Sequence, residues 1–168
     1  MEFYEVLETR KSVRSYTNQE ISEDTLNRIG KAVQLAPSAC NKQPWRFLIV
    51  FNEKTKAEIC KCYSREWLAQ APAIVVALGN NDEAWKREGE TPITEIDVAI
   101  AMEHLVLAAS AEGLGTCWVC AYEKAKLNKA LNIIKPWDVL AISPLGYPAK
   151  EGKHIPKKDI KDIFQVLK

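Results

Sequence analysis

What this sequence lacks narrows its function before any motif does. It has no charge excess: 23 Lys and Arg stand against 22 Asp and Glu, a net charge of +1. A surface built to neutralise a phosphate backbone shows as a basic excess, so nucleic acid is not an expected partner. No 18-residue stretch is apolar and free of charge, and no membrane span is expected. Histidine is scarce. His104 and His154 are the only two, and neither has a nucleophile beside it in sequence, so no Ser-His or Cys-His system is indicated. The cysteines number five, an odd count, and the opening MEFYEVLETRKS is charged and helix-like rather than a signal peptide. A reduced, cytoplasmic setting is expected.

The cysteines come as Cys60-x-Cys62, Cys117-x-x-Cys120 and a lone Cys40. Four thiolates would suit zinc. Residues two apart on a helix point apart, however, and residues three apart on a strand face opposite ways. A redox CxxC belongs at a helix N-terminus, and this one follows a helix. Small buried hydrophobes is the reading these directions favour, and no metal is expected. Gly113-Leu-Gly115 is no dinucleotide fingerprint either, because that motif needs a strand before the glycines and a helix after them.

What is present organises around Thr94–Tyr122. Apolar residues from Ile96 to Ala111 leave almost no polar face, so this helix should be buried on more than one side. Thr94, with Asp97 three residues on, reads as its cap. Gly113 and Gly115 stop it, and Cys117–Cys120 reads as strand or extended loop. The length fits one domain over residues 1–168. Helices are expected over 2–9, 23–35, 54–62 and 123–133, and strands over 45–51, 73–78 and 139–145. Residues 79–92 are polar and suit a lid. The tail over 149–168 is basic, and Asp159 should cap a last helix with Ile160, Ile163, Phe164 and Leu167 on one side.

Three polar sets remain: Arg10, Lys11 and Arg14 after the first helix, Asn41 and Gln43 between Pro37 and Pro44, and the lysines of the tail. Each alone suits a solvated surface. Together, around a buried helix, they suit a bound anion carrying a polar heterocycle.

Five motifs in this order carry a resemblance. They are Arg10-Lys-Ser-Val-Arg14, Ala36-Pro-Ser-x-x-Asn-x-Gln-Pro-Trp45, Asp97-x-Ala-x-x-x-x-x-Leu-x-Leu-Ala-Ala109, Gly113-Leu-Gly-Thr-Cys-Trp118 and Gly146-Tyr-Pro148. Spanning nearly the whole chain, the set resembles the nitroreductase family of FMN-dependent oxidoreductases. The resemblance implies an α+β fold, with a central, mostly antiparallel sheet flanked by helices, and an intertwined homodimer whose FMN sites are shared between subunits.

It also implies roles. Arg10, Lys11 and Ser12 would hold the phosphate and ribityl chain, and Arg14 the N1–O2 edge of the ring. Pro37, Ser38, Ala39, Asn41 and Gln43 would belong to a loop reaching the flavin from the other subunit. Cys120 and Ala121 would lie beside N5 and O4, presenting backbone N–H groups, and Trp118 would be a further cofactor-binding residue. Lys157, with Lys158, would be the tail cation on the phosphate, a point charge where relatives often have Arg. Ser64 or Trp67 falls where some relatives place polar ring-edge contacts. The implied activity is ping-pong hydride transfer from NAD(P)H through FMN to a nitroaromatic, quinone or flavin. The alternatives are a flavin-binding protein without turnover and a specialised flavin enzyme of the same fold.

Overall fold

The protein is described here by a computed structural model covering residues 2–168. Four strands form one antiparallel sheet in the order β1-β2-β4-β3: β1 (Trp45–Val50), β2 (Ala73–Asn80), β3 (Gly115–Thr116) and β4 (Trp137–Gly146). Five α-helices accompany it: α1 (Phe3–Thr9), α2 (Glu23–Gln34), α3 (Glu53–Cys60), α4 (Thr94–Ala111) and α5 (Lys124–Ala130). The architecture is α+β.

β2 shows why the sheet sits between layers. Every residue in it is buried. Side chains alternate along a strand, and Ala73, Val75 and Ala77 pack with α2 and α4, while Ile74, Val76 and Leu78 pack with Ile59 of α3 and Leu127 of α5. A strand covered on both faces needs apolar residues at every position, which is what AIVVAL supplies.

α4 is the post of the first layer. Val98, Ala101, Met102, Leu105, Val106 and Ala109 turn inward and are almost completely buried. Each large one contributes about 1.5–3 kcal/mol on burial. The opposite stripe is open. Ile96 is 57% exposed, and Ala99, Ile100, Leu107 and Ala111 are exposed or half-buried. α2 lies alongside, started by Ser22, whose Oγ accepts the Thr25 N–H at 3.2 Å. A fork from Arg28 to both oxygens of Glu112, each at 2.7 Å, fastens it to the end of α4.

Two expectations about helix ends need correction. Ile93, not Thr94, precedes the first turn of α4, and no side chain caps it. The Thr94 hydroxyl instead donates to Asn81 Oδ1 at 2.6 Å, so it ties α4 to the segment after β2. The last helix shrinks to a single 3-10 turn, Ile160–Asp162, and Asp159 makes no side-chain cap. Residues 153–168 are exposed throughout. A short segment with nothing to pack against does not overcome helix nucleation.

Candidate functional site

The N-terminal cations are placed by backbone pairing. Val13 N–H donates to the Thr116 carbonyl at 2.9 Å, and Ser12 bridges Thr116 in parallel. The segment after α1 thus joins the sheet beside β3. A cavity of about 300 Å3 opens there, with Arg10, Lys11, Ser110, Gly113, Thr116 and Gly152 among its lining.

Glycine shapes this cavity. A Cβ on Gly115 would lie 2.7–2.8 Å from the Val13 side chain, and one on Gly152 would lie 2.7 Å from the Ser12 carbonyl. Only bare backbone lets the three segments close up. The exposed Glu151 reaches Lys11 at 3.3 Å. An ion pair of that kind is weakly held in water, so an arriving anion can displace it.

From the cavity the chain runs through β3 and Trp118 to Cys120. Cys117 is buried, with its N–H donating to Ser143 Oγ at 3.0 Å, whereas Trp118, Cys120 and Ala121 are exposed. Val119 pairs with Ile142 through both backbone bonds, at 2.9 and 3.0 Å. Burial, and then the nearby Glu95 carboxylate, push the Cys120 thiol above its ordinary range. It therefore stays protonated at neutral pH, and nothing here activates it as a nucleophile.

The amide loop is bent into an unusual shape. Cys40, Asn41 and Gln43 all have positive φ, near 50°. Internal bonds hold it: Gln43 N–H donates to Ser38 Oγ at 2.9 Å, and Gln43 Nε2 donates to Asn41 Oδ1 at 3.1 Å. Asp97 pins it from α4 by accepting the Ala39 N–H at 3.0 Å. Pro37 and Asn41 are exposed.

Within one chain the expected residues do not all meet. Arg10 and Lys11 line the cavity at the C-terminal end of α4, and no residue of the 36–44 loop does. That loop is fixed to the first turn of α4, where Asp97 holds it. Glu95, two residues earlier, acts through its charge on the Cys120 thiol, and positions two apart point to different sides of a helix. Lys157 and Lys158 are exposed in the tail. Arg14 extends outward, its guanidinium 5.7 Å from the centre of the Trp67 ring. Ser64 is exposed nearby in sequence. The sequence reading missed the pin from Asp97 and the pairing of Arg14 with Trp67. The Arg10 and Lys11 cations and the Gly113–Gly115 spacing after an apolar helix were its visible pointers to the cavity.

The structure thus joins an α+β sheet to a cavity with Arg10, Lys11, Gly113 and Gly152 in its lining, at the end of α4. The family model described as the Nitroreductase family matches residues 7–62 and 56–147, and the chain belongs to that family. Among solved structures, a nitroreductase family protein from Clostridium novyi NT is 38% identical, with a TM-score of 0.82, covering 88% of this chain and 87% of that one. An FMN-dependent nitroreductase from Clostridium difficile R20291 shares the fold at 24% identity and TM-score 0.82, over 95% of this chain and 96% of that one. The NADH dehydrogenase of Thermus thermophilus is 26% identical over 85% of either chain. The iodotyrosine deiodinase of Thermotoga neapolitana is 26% identical over 94% of either chain.

Proposed function

We propose that this chain is a flavin oxidoreductase that binds FMN between two copies of itself and takes reducing equivalents from NAD(P)H. The observation that carries the reading is the cavity lined by Gly113 and Gly152, with Arg10 and Lys11 at its rim. A phosphate fits such a site: charge-assisted bonds from cations and bare backbone suit its oxygens. FMN, when bound, would supply hydride transfer from NAD(P)H to an electron-poor acceptor, a nitroaromatic, quinone or second flavin, in two half-reactions.

The protein's part is position and charge. Arg10, Lys11 and Ser12 hold the phosphate end. Arg14 offers a fixed positive charge to the ring, where electron density rises on reduction. The exposed backbone at Cys120–Ala121 provides N–H donors, so no acidic side chain is needed. A second copy supplies the rest. It covers the open apolar stripe of α4, brings its own 36–44 loop to the site, and adds Lys157 and Lys158. Names among the relatives favour this reading, since they include an FMN-dependent nitroreductase and an NADH dehydrogenase.

The test is the spectrum of the purified protein, followed by anaerobic mixing with NADH or NADPH. A flavin spectrum bleached by either nucleotide is expected. A colourless protein that takes up no added FMN would sink the proposal. A flavin spectrum that neither nucleotide bleaches would leave a flavin-binding protein without turnover.

A further inference from the structure

Arg14 is held differently from Lys11, the paired cation of the cavity. Lys11 is paired with Glu151 and, farther off, Arg28 with Glu112. Among the described residues no carboxylate pairs with Arg14; the contact shown for its guanidinium is the Trp67 ring at 5.7 Å. That lies within the roughly 6 Å reach of a cation–π interaction. Trp67 is itself held. Tyr63 packs edge-on against it, with ring centres 5.7 Å apart and planes at 81°. Both rings lean on the cluster of Ile59, Cys62 and Leu68, whose members are almost completely buried. Leu68 sits in the same 3-10 turn as Trp67, Glu66–Gln70.

The choice of partner has a chemical consequence. A carboxylate would fix Arg14 but would neutralise it and occupy its N–H donors. An aromatic face fixes the guanidinium through its plane and leaves the charge and the edge donors unspent. An exposed arginine without such a face samples many rotamers and offers its charge over a diffuse volume.

We infer that Trp67 is a positioning residue, which holds Arg14 in place while leaving its charge free for the reduced flavin. This rests on the FMN reading above and deepens it. The predicted consequence is a site that prefers reduced over oxidised FMN by more than its net charge would give. Trp67, which carries no charge of its own, then supports the ring edge through Arg14.

The experiment measures the affinity of the full-length protein for oxidised and for reduced FMN, and hence the potential of the bound flavin. Trp67→Leu keeps an apolar side chain, though a smaller one, without a ring face. It is expected to lower the preference for reduced FMN about fivefold, equivalent to about 20 mV for a two-electron couple. Trp67→Phe should restore most of the preference. In an Arg14→Met background, adding Trp67→Leu should change nothing further, because the two residues act as one unit. Arg14→Lys reads the same contact from the other side and should match Trp67→Leu, which keeps the test open if the leucine variant does not fold. An unchanged preference in Trp67→Leu or Arg14→Lys overturns the inference, as does a loss that persists without Arg14. A wild-type protein that binds no FMN overturns the function proposed above, whereas normal binding with an indifferent Trp67 overturns this inference alone.

Discussion

α4 and the chain beyond Gly152 are both rich in apolar residues, and the structure treats them in opposite ways. Val98, Met102, Leu105 and Val106 are sealed against the sheet and α2. Ile155, Ile160, Ile163, Phe164, Val166 and Leu167 lie open, with Leu167 at 92% exposure. The first set explains why one chain folds. The second has no role in that chain. Apolar residues left exposed in such density would suit the second copy proposed above. The outward stripe of α4 combines the two cases, since its residues share a helix with the core and yet face away from it.

Four measurements test this contrast, from the largest expected effect down. Leu105→Ala, in the sealed set, should lower the unfolding free energy by about 2–5 kcal/mol in a urea titration. A loss below about 1 kcal/mol would mean that α4 is not the post it is taken to be. Arg10→Ala should weaken FMN binding by about 1.5–3 kcal/mol without unfolding the chain. Fluorescence titration of the apoprotein reads this, and wild-type affinity would remove Arg10 from the site.

Deleting residues 153–168 should change the stability of the folded body by less than about 0.5 kcal/mol, as for exposed positions generally. It should nevertheless shift the protein toward monomer in sedimentation and weaken its hold on FMN. A large loss of body stability would erase the distinction between the two regions. The last measurement concerns Asp138 at the start of β4. Burial pushes its carboxyl up, but bonds from Lys135 and Asn128 and the charge of Lys124 outweigh that and hold it below its ordinary value of 3.8. A carboxyl depressed by folding adds stability above its unfolded pKa and loses it as pH falls through the folded one. Lys135 is well exposed, so Asp138→Asn should cost only about 1 kcal/mol at pH 7. The gap between variant and wild type should narrow as pH falls below 3.8. A gap that persists there would point to packing instead of charge.

The elements with a clear period were legible in the sequence. The second helix was expected over 23–35 and runs Glu23–Gln34. The buried strand AIVVAL is the middle of the sheet, and the apolar run after Thr94 is α4. What the sequence hid was tertiary. Ile160, Ile163 and Leu167 have helical spacing, but a helix of that length needs a surface to lie on, and one chain offers none. Thr94 and Asp97 matched a capping pattern because the same short polar side chains serve caps and long-range ties equally well. Their actual partners, Asn81 and Ala39, lie 13 and 58 residues away. The site was legible as motifs and not as an assembly: the family resemblance named Arg10 and Asn41 together, whereas the chain holds them at opposite ends of α4.

The bent loop at Cys40, Asn41 and Gln43 carries one more consequence. Left-handed backbone disfavours any residue with a Cβ by roughly 1–2 kcal/mol, somewhat less for Asn. Glycine at these three positions would relieve the strain at once. The chain has side chains there instead, so this loop stores information where stability would ask for blankness. A library randomised at Cys40, Asn41 and Gln43 should therefore separate two selections: one for thermal resistance enriching glycine, and one for flavin colour keeping Asn41.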